Sequence, residues 1–305
     1  MEFALTDEQQ MIAETARAFF TETATSERTR AAMASTGAGA GIDAALWQAF
    51  CTELGLSGIA IPEEAGGAGL GLIELALVAE AAGAQVAALP MLGSLALAAQ
   101  GLAAGGTPAQ KAEVLPSLLS GETIAAYVHD AALQADGDIL TGADGFVAHG
   151  AAAQVFLVTG NGGAWLVRAG AEGLGVTAQT TMDQTRPLAR VTLNGVRGEP
   201  LADAAAALAR AQACGFITLA AEALGGAQEA LDRTVAYSKE RVQFGRPIGS
   251  FQAYKHRLAD LVVEIEQAKS AVWWAACAVD EGAEDALLAL HAAKSFAADT
   301  YFLVA

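Results

Sequence analysis

The chain has 305 residues, of which 53% are hydrophobic and 17% are charged, so it can bury the cores of two or three domains. Asp and Glu outnumber Lys and Arg by 34 to 17, and the formal net charge is −17. This balance, with no run of basic residues, excludes nucleic acid as an expected partner.

The sequence indicates a cytoplasmic protein. No stretch of about 18 residues is both strongly apolar and free of charge, so no membrane span is expected. The N-terminal residues are acidic and lack the basic and apolar regions of a secretion signal. Cys51, Cys214 and Cys277 are widely separated, which favours reduced core residues over a disulfide. The histidines show no metal-ligand spacing, and no metal site is predicted.

Residues 1–121 are predicted to form an N-terminal α-helical domain. Thr6 and Gln9 match a capping box, and apolar residues recur after them at helical spacing. Further helical patterns follow, at 73–87, 92–102 and 111–119. The glycine-rich segment 64–71 lacks the GxGxxG spacing of a dinucleotide site, which favours a loop.

Residues 122–202 are predicted to form a small antiparallel β domain. Short β-branched runs alternate there with turn signals. The expected hairpin turns are Asp136-Gly137, Asp144-Gly145, the segment 160–163 and Asn194-Gly195.

Residues 203–305 are predicted to form a C-terminal helical bundle in which two long amphipathic helices pack as an antiparallel pair. Gly225 and Gly226 lie inside the first helix, where close packing against a neighbouring helix would explain them. A third helical pattern is still running at Ala305, so the bundle is expected to be incomplete. The predicted fold class is therefore α+β, in the order α, β, α.

The corner between the two long helices carries the densest polar stretch. Gly245 and Pro247 are explained by a helix end and a turn. Arg241, Gln243 and Phe244 are not explained in that way. A planar cation, an amide and an aromatic ring on a rigid corner suit a diphosphate beside a ring system.

This corner resembles the signature of the acyl-CoA dehydrogenase family. The similarity extends over nearly the whole chain and is carried by the segments 54–67, 183–188, 224–232, 240–252 and 255–260.

The resemblance implies an FAD-dependent dehydrogenase that acts on an acyl-CoA thioester. In that family a carboxylate removes the α-proton, the β-hydride goes to the flavin, and an electron-transfer flavoprotein accepts the electrons. The resemblance also implies a homo- or hetero-oligomer, because the matching residues reach a neighbour's cofactor. Carried over, Arg241, Gln243 and Phe244 would contact the pyrophosphate side of a partner's FAD.

The chain departs from the family at residues expected near its own flavin. The segment 127–133 replaces a Thr-Glu-Pro pattern, and Ala148 replaces a threonine that meets the flavin ring. The catalytic base is unknown, since one family position for it falls on Gly215 and the other would lie after Ala305.

The chain lacks residues expected near its own flavin but keeps the motif that would face a neighbour's flavin. In this respect it resembles the short, degenerate subunits of heteromeric, steroid-type acyl-CoA dehydrogenases. The first interpretation is an acyl-CoA dehydrogenase flavoprotein subunit of lipid or steroid catabolism, with the acyl-CoA unidentified. The alternative is a non-catalytic partner subunit that completes the FAD site of a second subunit. A helical protein without a flavin role ranks last, because it leaves the Arg241 to Phe244 cluster unexplained.

Overall fold

The structure is a computed structural model that describes residues 4–305. The helices before the strands are α1 Asp7–Thr23, α2 Ser26–Ala34, α3 Ala44–Ala49, α4 Leu72–Ala84, α5 Gln100–Gly105 and α6 Pro108–Leu119. Those after the strands are α7 Ala204–Glu240, α8 Gln252–Asp280 and α9 Ala286–Val304. Wider π-type turns extend α3 over Phe50–Leu54 and precede α5 over Met91–Ala99.

The strands of the middle region lie between α6 and α7. They are β1 Ala125–His129, β2 Gln134–Asp136, β3 Ile139–Ala148, β4 Val155–Gly160, β5 Gly163–Arg168, β6 Leu174–Ala178, β7 Leu188–Arg197 and β8 Glu199–Pro200. Two short strands, β9 Val242–Gln243 and β10 Arg246–Pro247, occupy the corner between α7 and α8. The predicted order of helices, strands and helices is confirmed.

The chain folds into two compact units that do not follow chain order. The first unit consists of Met1–Glu22, Gly71–Ala87 and Phe216–Ala305, and the second consists of Thr23–Leu70 and Ala88–Gly215. The first unit is helical, and its N-terminal helices α1 and α4 come from a different part of the chain than α8 and α9. The second unit contains the strands β1 to β8 and the helices packed on them.

Side chains cap the starts of two helices of the first unit, α1 and α4. The predicted capping box of α1 is confirmed, because Thr6 Oγ1 accepts from Gln9 N at 3.2 Å and Gln9 Oε1 accepts from Thr6 N at 3.0 Å. The first turn of α4 is capped from a distance, because an Asp280 carboxylate oxygen accepts from Leu72 N at 2.6 Å. That bond ties α4 to the end of α8.

Helices α4 and α7 cross at glycines, where their backbones touch. A Cβ added to Gly225 would lie 1.9 Å from the Glu80 carbonyl oxygen of α4. A Cβ added to Gly83 would lie 2.2 Å from the Glu222 carbonyl oxygen of α7. The prediction that the glycine pair reflects close helix packing is therefore confirmed for Gly225.

The strands of the second unit form two sheets of four strands each. Their orders are β1-β4-β5-β8 and β2-β3-β7-β6. The prediction of an antiparallel domain needs one correction, because β1 and β4 are parallel. Parallel neighbours need a long crossover, and the 25 residues from 130 to 154 supply it by passing through β2 and β3. The remaining pairs are antiparallel.

The predictions of two of the four hairpin turns are wrong. Asp144-Gly145 and Asn194-Gly195 lie inside β3 and β7, where the strand register shifts and forms bulges. The hairpins at Asp136-Gly137 and at 160–163 are confirmed. A turn dipeptide also suits a bulge, and the choice depends on which strand pairs with it.

The longest helix, α7, has an apolar sequence. Among residues 4–305, it alone is long and apolar enough to cross a membrane, and 50% of its most apolar window is buried inside the protein. Core helices also have these properties, so this is weak evidence for a span.

The two adjacent glycines of α7 provide a matched test of the crossing. We expect Gly225→Ala to lower the free energy of unfolding by about 3 kcal/mol, because its Cβ would overlap a backbone carbonyl. Gly226→Ala should stay within about 1 kcal/mol of the parent, because its Cβ meets only the movable ring of Tyr301 and alanine favours a helix. Urea unfolding of both variants makes the comparison. Equal losses would contradict a specific backbone contact at residue 225.

Candidate functional site

The corner between α7 and α8 is a tight hairpin formed by residues 241–247. Gln243 of β9 pairs with Arg246 of β10, which leaves Phe244 and Gly245 as a two-residue turn. Both have positive φ, +50° and +77°. Two successive positive φ values are typical of a type I′ turn, in which phenylalanine is strained and asparagine or glycine is preferred.

Contacts with both helices hold the hairpin. Arg241 N donates to the Tyr237 carbonyl at 2.9 Å, and Ile248 N donates to the Arg241 carbonyl at 2.8 Å. The Arg246 guanidinium lies 4.1 Å from the centre of the Phe251 ring, a cation–π contact at the start of α8. The hairpin is therefore a fixed extension of the two helices.

The three predicted cofactor-binding side chains lie together on this hairpin. Arg241, Gln243 and Phe244 are all exposed, and Phe244 is 93% exposed. No residue in the described range 4–305 forms an ion pair with Arg241. The Gln243 amide donates at 2.9 Å to the carbonyl of Val242, which leaves its second N–H available. The hairpin thus presents an exposed aromatic ring, on a residue with a strained backbone, and unused donors to its surroundings.

The hairpin is also the basic part of an acidic chain. Residues 239–257 contain five of the 17 Lys and Arg residues and a single acid, Glu240. The five cations are all exposed, and they are Lys239, Arg241, Arg246, Lys255 and Arg257. Because the whole chain carries a net charge of −17, this local excess favours an anionic group at the hairpin.

In the second unit, the loop after β1 uses its amides internally. The Asp130 carboxylate accepts from Ala132 N at 2.8 Å and from Ala143 N at 3.0 Å. Asp144 accepts from His129 N at 3.0 Å and from Phe146 N at 2.8 Å. These amides at the end of β1 and along β3 are therefore already bonded to two carboxylates.

A polar cluster joins β1 and β4 at the same edge. The hydroxyl of Thr159, which is fully buried, hydrogen-bonds to Tyr127 Oη at 2.9 Å and to His129 Nδ1 at 3.0 Å. Burial raises the pKa of the Tyr127 hydroxyl, so it stays protonated near neutral pH. The hydroxyls of Tyr127 and Thr159 are thus used within the cluster.

His149 is the buried polar residue of this region. Its side chain is 2% exposed, its φ is +55°, and neither ring nitrogen has a hydrogen-bond partner of normal geometry among the described residues. Burial, with the positive charge of Arg186 nearby, lowers the pKa of His149 to about 4. His149 is therefore neutral at physiological pH.

Family comparisons decide how these features are interpreted. Residues 6–122 match the acyl-CoA dehydrogenase N-terminal domain, and residues 215–305 match the acyl-CoA dehydrogenase C-terminal domain. The chain belongs to the acyl-CoA dehydrogenase family. It is a family of flavoprotein oxidoreductases that act on the CH–CH bond of acyl-CoA thioesters, with FAD as the cofactor.

Similar proteins include heteromeric members of this family. The acyl-CoA dehydrogenase IpdE2 of Mycobacterium tuberculosis is 40% identical over 272 residues, which cover 87% of this chain and 74% of IpdE2. A chain of the Tcur3481-Tcur3483 steroid acyl-CoA dehydrogenase, solved as a G363A variant, is 35% identical with a TM-score of 0.85, covering 98% and 84% of the two chains. A chain of the Mycobacterium tuberculosis ChsE4-ChsE5 complex is 29% identical with a TM-score of 0.91, covering 100% and 86%.

The two regions differ in how well they suit FAD. The hairpin fits a diphosphate, because Arg241 and Gln243 have unused donors in a basic region and Phe244 offers an exposed ring. The loop after β1 does not fit a flavin ring, because Asp130 and Asp144 already occupy its amides. The chemistry of the two regions therefore favours the hairpin over the loop after β1 as the part of this chain that suits the cofactor.

The position aligned with a family catalytic base carries no acid in this acyl-CoA dehydrogenase family chain. Gly215 is buried in α7, and a Cβ placed there would lie 2.5 Å from a methyl carbon of Leu97. Sequence reasoning left the catalytic base unassigned, and it missed the hydrogen-bonding roles of the Asp130 and Asp144 carboxylates. Their only local signal is an acidic residue just after β1 for Asp130 and one in a turn dipeptide for Asp144, and both patterns also fit an exposed loop.

The turn at Phe244 gives a test of stored strain. Phe244→Asn should raise the free energy of unfolding by about 1 kcal/mol relative to Phe244→Ala, because both remove the ring but only asparagine suits positive φ. Thermal unfolding of the two variants measures this difference. A less stable asparagine variant would show that Phe244 is not strained.

His149 gives a test of pH dependence. Its pKa in the folded chain, about 4, is below the ordinary value of 6.5, so the unfolded chain takes up the proton first as pH falls. The parent should therefore lose about 2 kcal/mol of stability between about pH 6.5 and about pH 5. His149→Asn should lose much less over this range, because asparagine tolerates the positive φ and does not titrate. Parallel losses in chemical denaturation of the two proteins would rule out His149 as the cause.

Proposed function

We propose that this chain acts as a subunit of an acyl-CoA dehydrogenase oligomer and completes the FAD site of a neighbouring subunit with Arg241, Gln243 and Phe244. The oligomer would carry out FAD-dependent α,β-dehydrogenation of an acyl-CoA thioester. The residues that surround the flavin ring, and the catalytic base, would come from the second subunit. An electron-transfer flavoprotein is the proposed electron acceptor.

The contrast between the hairpin and the β1 loop carries this proposal. Exposed donors at Arg241 and Gln243 can bind a phosphate without breaking a bond inside the chain. In the β1 loop, a ligand would first have to displace the carboxylates of Asp130 and Asp144. The similarity to subunits of complexes named ChsE4-ChsE5 and Tcur3481-Tcur3483 supports a heteromer.

The proposed roles of the hairpin residues follow from their chemistry. When bound, FAD supplies the acceptor for the β-hydride. Arg241 would neutralise the diphosphate with a planar fork of N–H donors, and Gln243 would add an amide donor. Phe244 would cover an apolar face and exclude water from it. This chain therefore binds and orients, and none of its described residues is assigned the proton transfer.

Flavin content tests the role of Arg241. In the complex with the second subunit, Arg241→Lys should weaken FAD binding about tenfold, because an ammonium cannot form the same two parallel bonds. The matched control is Arg257→Ala, which removes an exposed cation from the same basic region. The visible absorbance of the gel-filtered complexes, titrated with FAD, gives both affinities. Equal affinity in parent and Arg241→Lys complexes would remove Arg241 from the site.

The colour of the purified chain by itself tests which subunit holds the flavin ring. We expect the isolated chain to be colourless and the reconstituted heteromer to be yellow. Stoichiometric flavin on the isolated chain would overturn the partner role and favour a self-sufficient acyl-CoA dehydrogenase. Colourless chain with a yellow heteromer that is insensitive to Arg241→Lys would retain the partner role but reject the hairpin as its means.

A further inference from the structure

A cavity of about 360 Å³ lies within the first unit and uses none of the hairpin residues. Its walls come from α1, α4, α7 and α8. The contribution of α7 is limited to positions 224–232, a different stretch of that helix from Gly215. This volume falls within the range of about 300–1,000 Å³ that is usual for small-molecule sites.

The walls of the cavity are held in place by the α4–α7 crossing. Gly225 lines the cavity, and its backbone lies directly against that of Glu80. Leu77, Leu224 and Ile265 are buried apolar residues of the same lining. Since backbone contacts fix two of the helices, the cavity has a preformed shape with an apolar surface on several sides.

Two of the acidic groups in the lining already have partners. Glu229 forms an ion pair with Arg233, with the Nε and Oε1 atoms 2.6 Å apart. Asp232 accepts a hydrogen bond of 3.0 Å from the amide of Gln228. These two carboxylates therefore need no ligand.

Three other charged groups of the lining lack such partners. Among the residues that the structure describes, none hydrogen-bonds or forms an ion pair with the side chains of Glu80 or Arg17. Lys269 makes a cation–π contact, with Nζ 5.1 Å from the centre of the Trp273 ring. One carboxyl and two cations thus line the same cavity without a close ion pair among them.

Burial makes the Glu80 carboxyl easy to protonate. Removal from water raises its pKa, and the negative charge of Glu266 adds to this effect. Lys269 and Arg17 act in the opposite direction, but the pKa remains raised. With Glu80 protonated, the cavity offers two cations and a carboxylic acid O–H donor.

We propose that this cavity binds a small carboxylate with an apolar tail, whose charged end contacts Arg17, Lys269 and Glu80 and whose tail packs against the leucines and Ile265. The bound carboxylate would pair with the two cations and accept a hydrogen bond from Glu80. An amine would meet two cations of its own sign. A neutral apolar molecule would form an ion pair with neither cation.

Hexanoate is the probe, and hexylammonium and hexan-1-ol are the comparison compounds. Calorimetric titration of the purified chain, with any partner subunit that co-purifies, should show hexanoate binding at least about tenfold tighter than the other two. Lys269→Met should weaken hexanoate binding about tenfold, because methionine keeps the packing and removes the charge. Lys294→Met, an exposed change on α9 outside the cavity, should leave it unchanged.

The proton of Glu80 gives a second readout. In the parent, hexanoate affinity should increase as pH is lowered while hexanoate stays ionised, by at most about tenfold per pH unit for one proton. Glu80→Gln should bind hexanoate with little pH dependence, because the amide remains a donor and does not titrate. Arg17→Gln, an exposed change on α1, checks the charge requirement if a variant at Lys269 fails to fold.

Several results would overturn the proposal. They are the absence of hexanoate binding, equal binding of hexylammonium or hexan-1-ol, and unchanged hexanoate binding in folded Lys269→Met and Arg17→Gln variants. A pH profile of Glu80→Gln identical to that of the parent would remove Glu80 from the site. None of these outcomes affects the hairpin, because the cavity and the hairpin have no residue in common.

Discussion

The backbone contact between α4 and α7 is the constraint on which the first unit depends. Gly225 and Gly83 allow each helix to touch a carbonyl of the other, at distances that no Cβ would permit. This contact fixes α7 against α4, while Asp280 ties the start of α4 to the end of α8. The same contact sets one wall of the cavity at Glu80. Two glycines, which have no side chain, thus control the packing of helices from distant parts of the sequence.

The chemistry of the chain is distributed unevenly between its two units. The hairpin leaves donors and an aromatic ring exposed, which costs little free energy in water. These groups contribute binding free energy only when a partner is present. The end of β1 does the opposite, since Asp130 and Asp144 bond its amides and stabilise the loop. A loop whose amides are already hydrogen-bonded within the chain has fewer donors available for a cofactor. This difference gives a physical basis for a subunit that supports a neighbour's site.

Local features were predictable because they depend on few residues. The Thr6–Gln9 capping box and the turn at 160–163 follow from side chains three or fewer positions apart. Asn194-Gly195 was not predictable, since the same dipeptide forms a turn or a bulge according to its strand partner. The buried face of α7 includes small residues. Ala211 and Cys214 are fully buried there, because small residues let neighbouring elements approach closely.

The sequence by itself determined the family, the order of helices and strands, and the three residues offered by the hairpin. Those properties depend on contiguous sequence motifs, and the functional groups of a motif are the same whatever structure surrounds it. The tertiary structure decided which amides are already used, where Glu80 meets Arg17 and Lys269, and why Gly225 must be glycine. These depend on distances between residues far apart in the chain, such as Gly71 and Asp280. Only folding brings such groups close enough for hydrogen bonding, burial and charge to act.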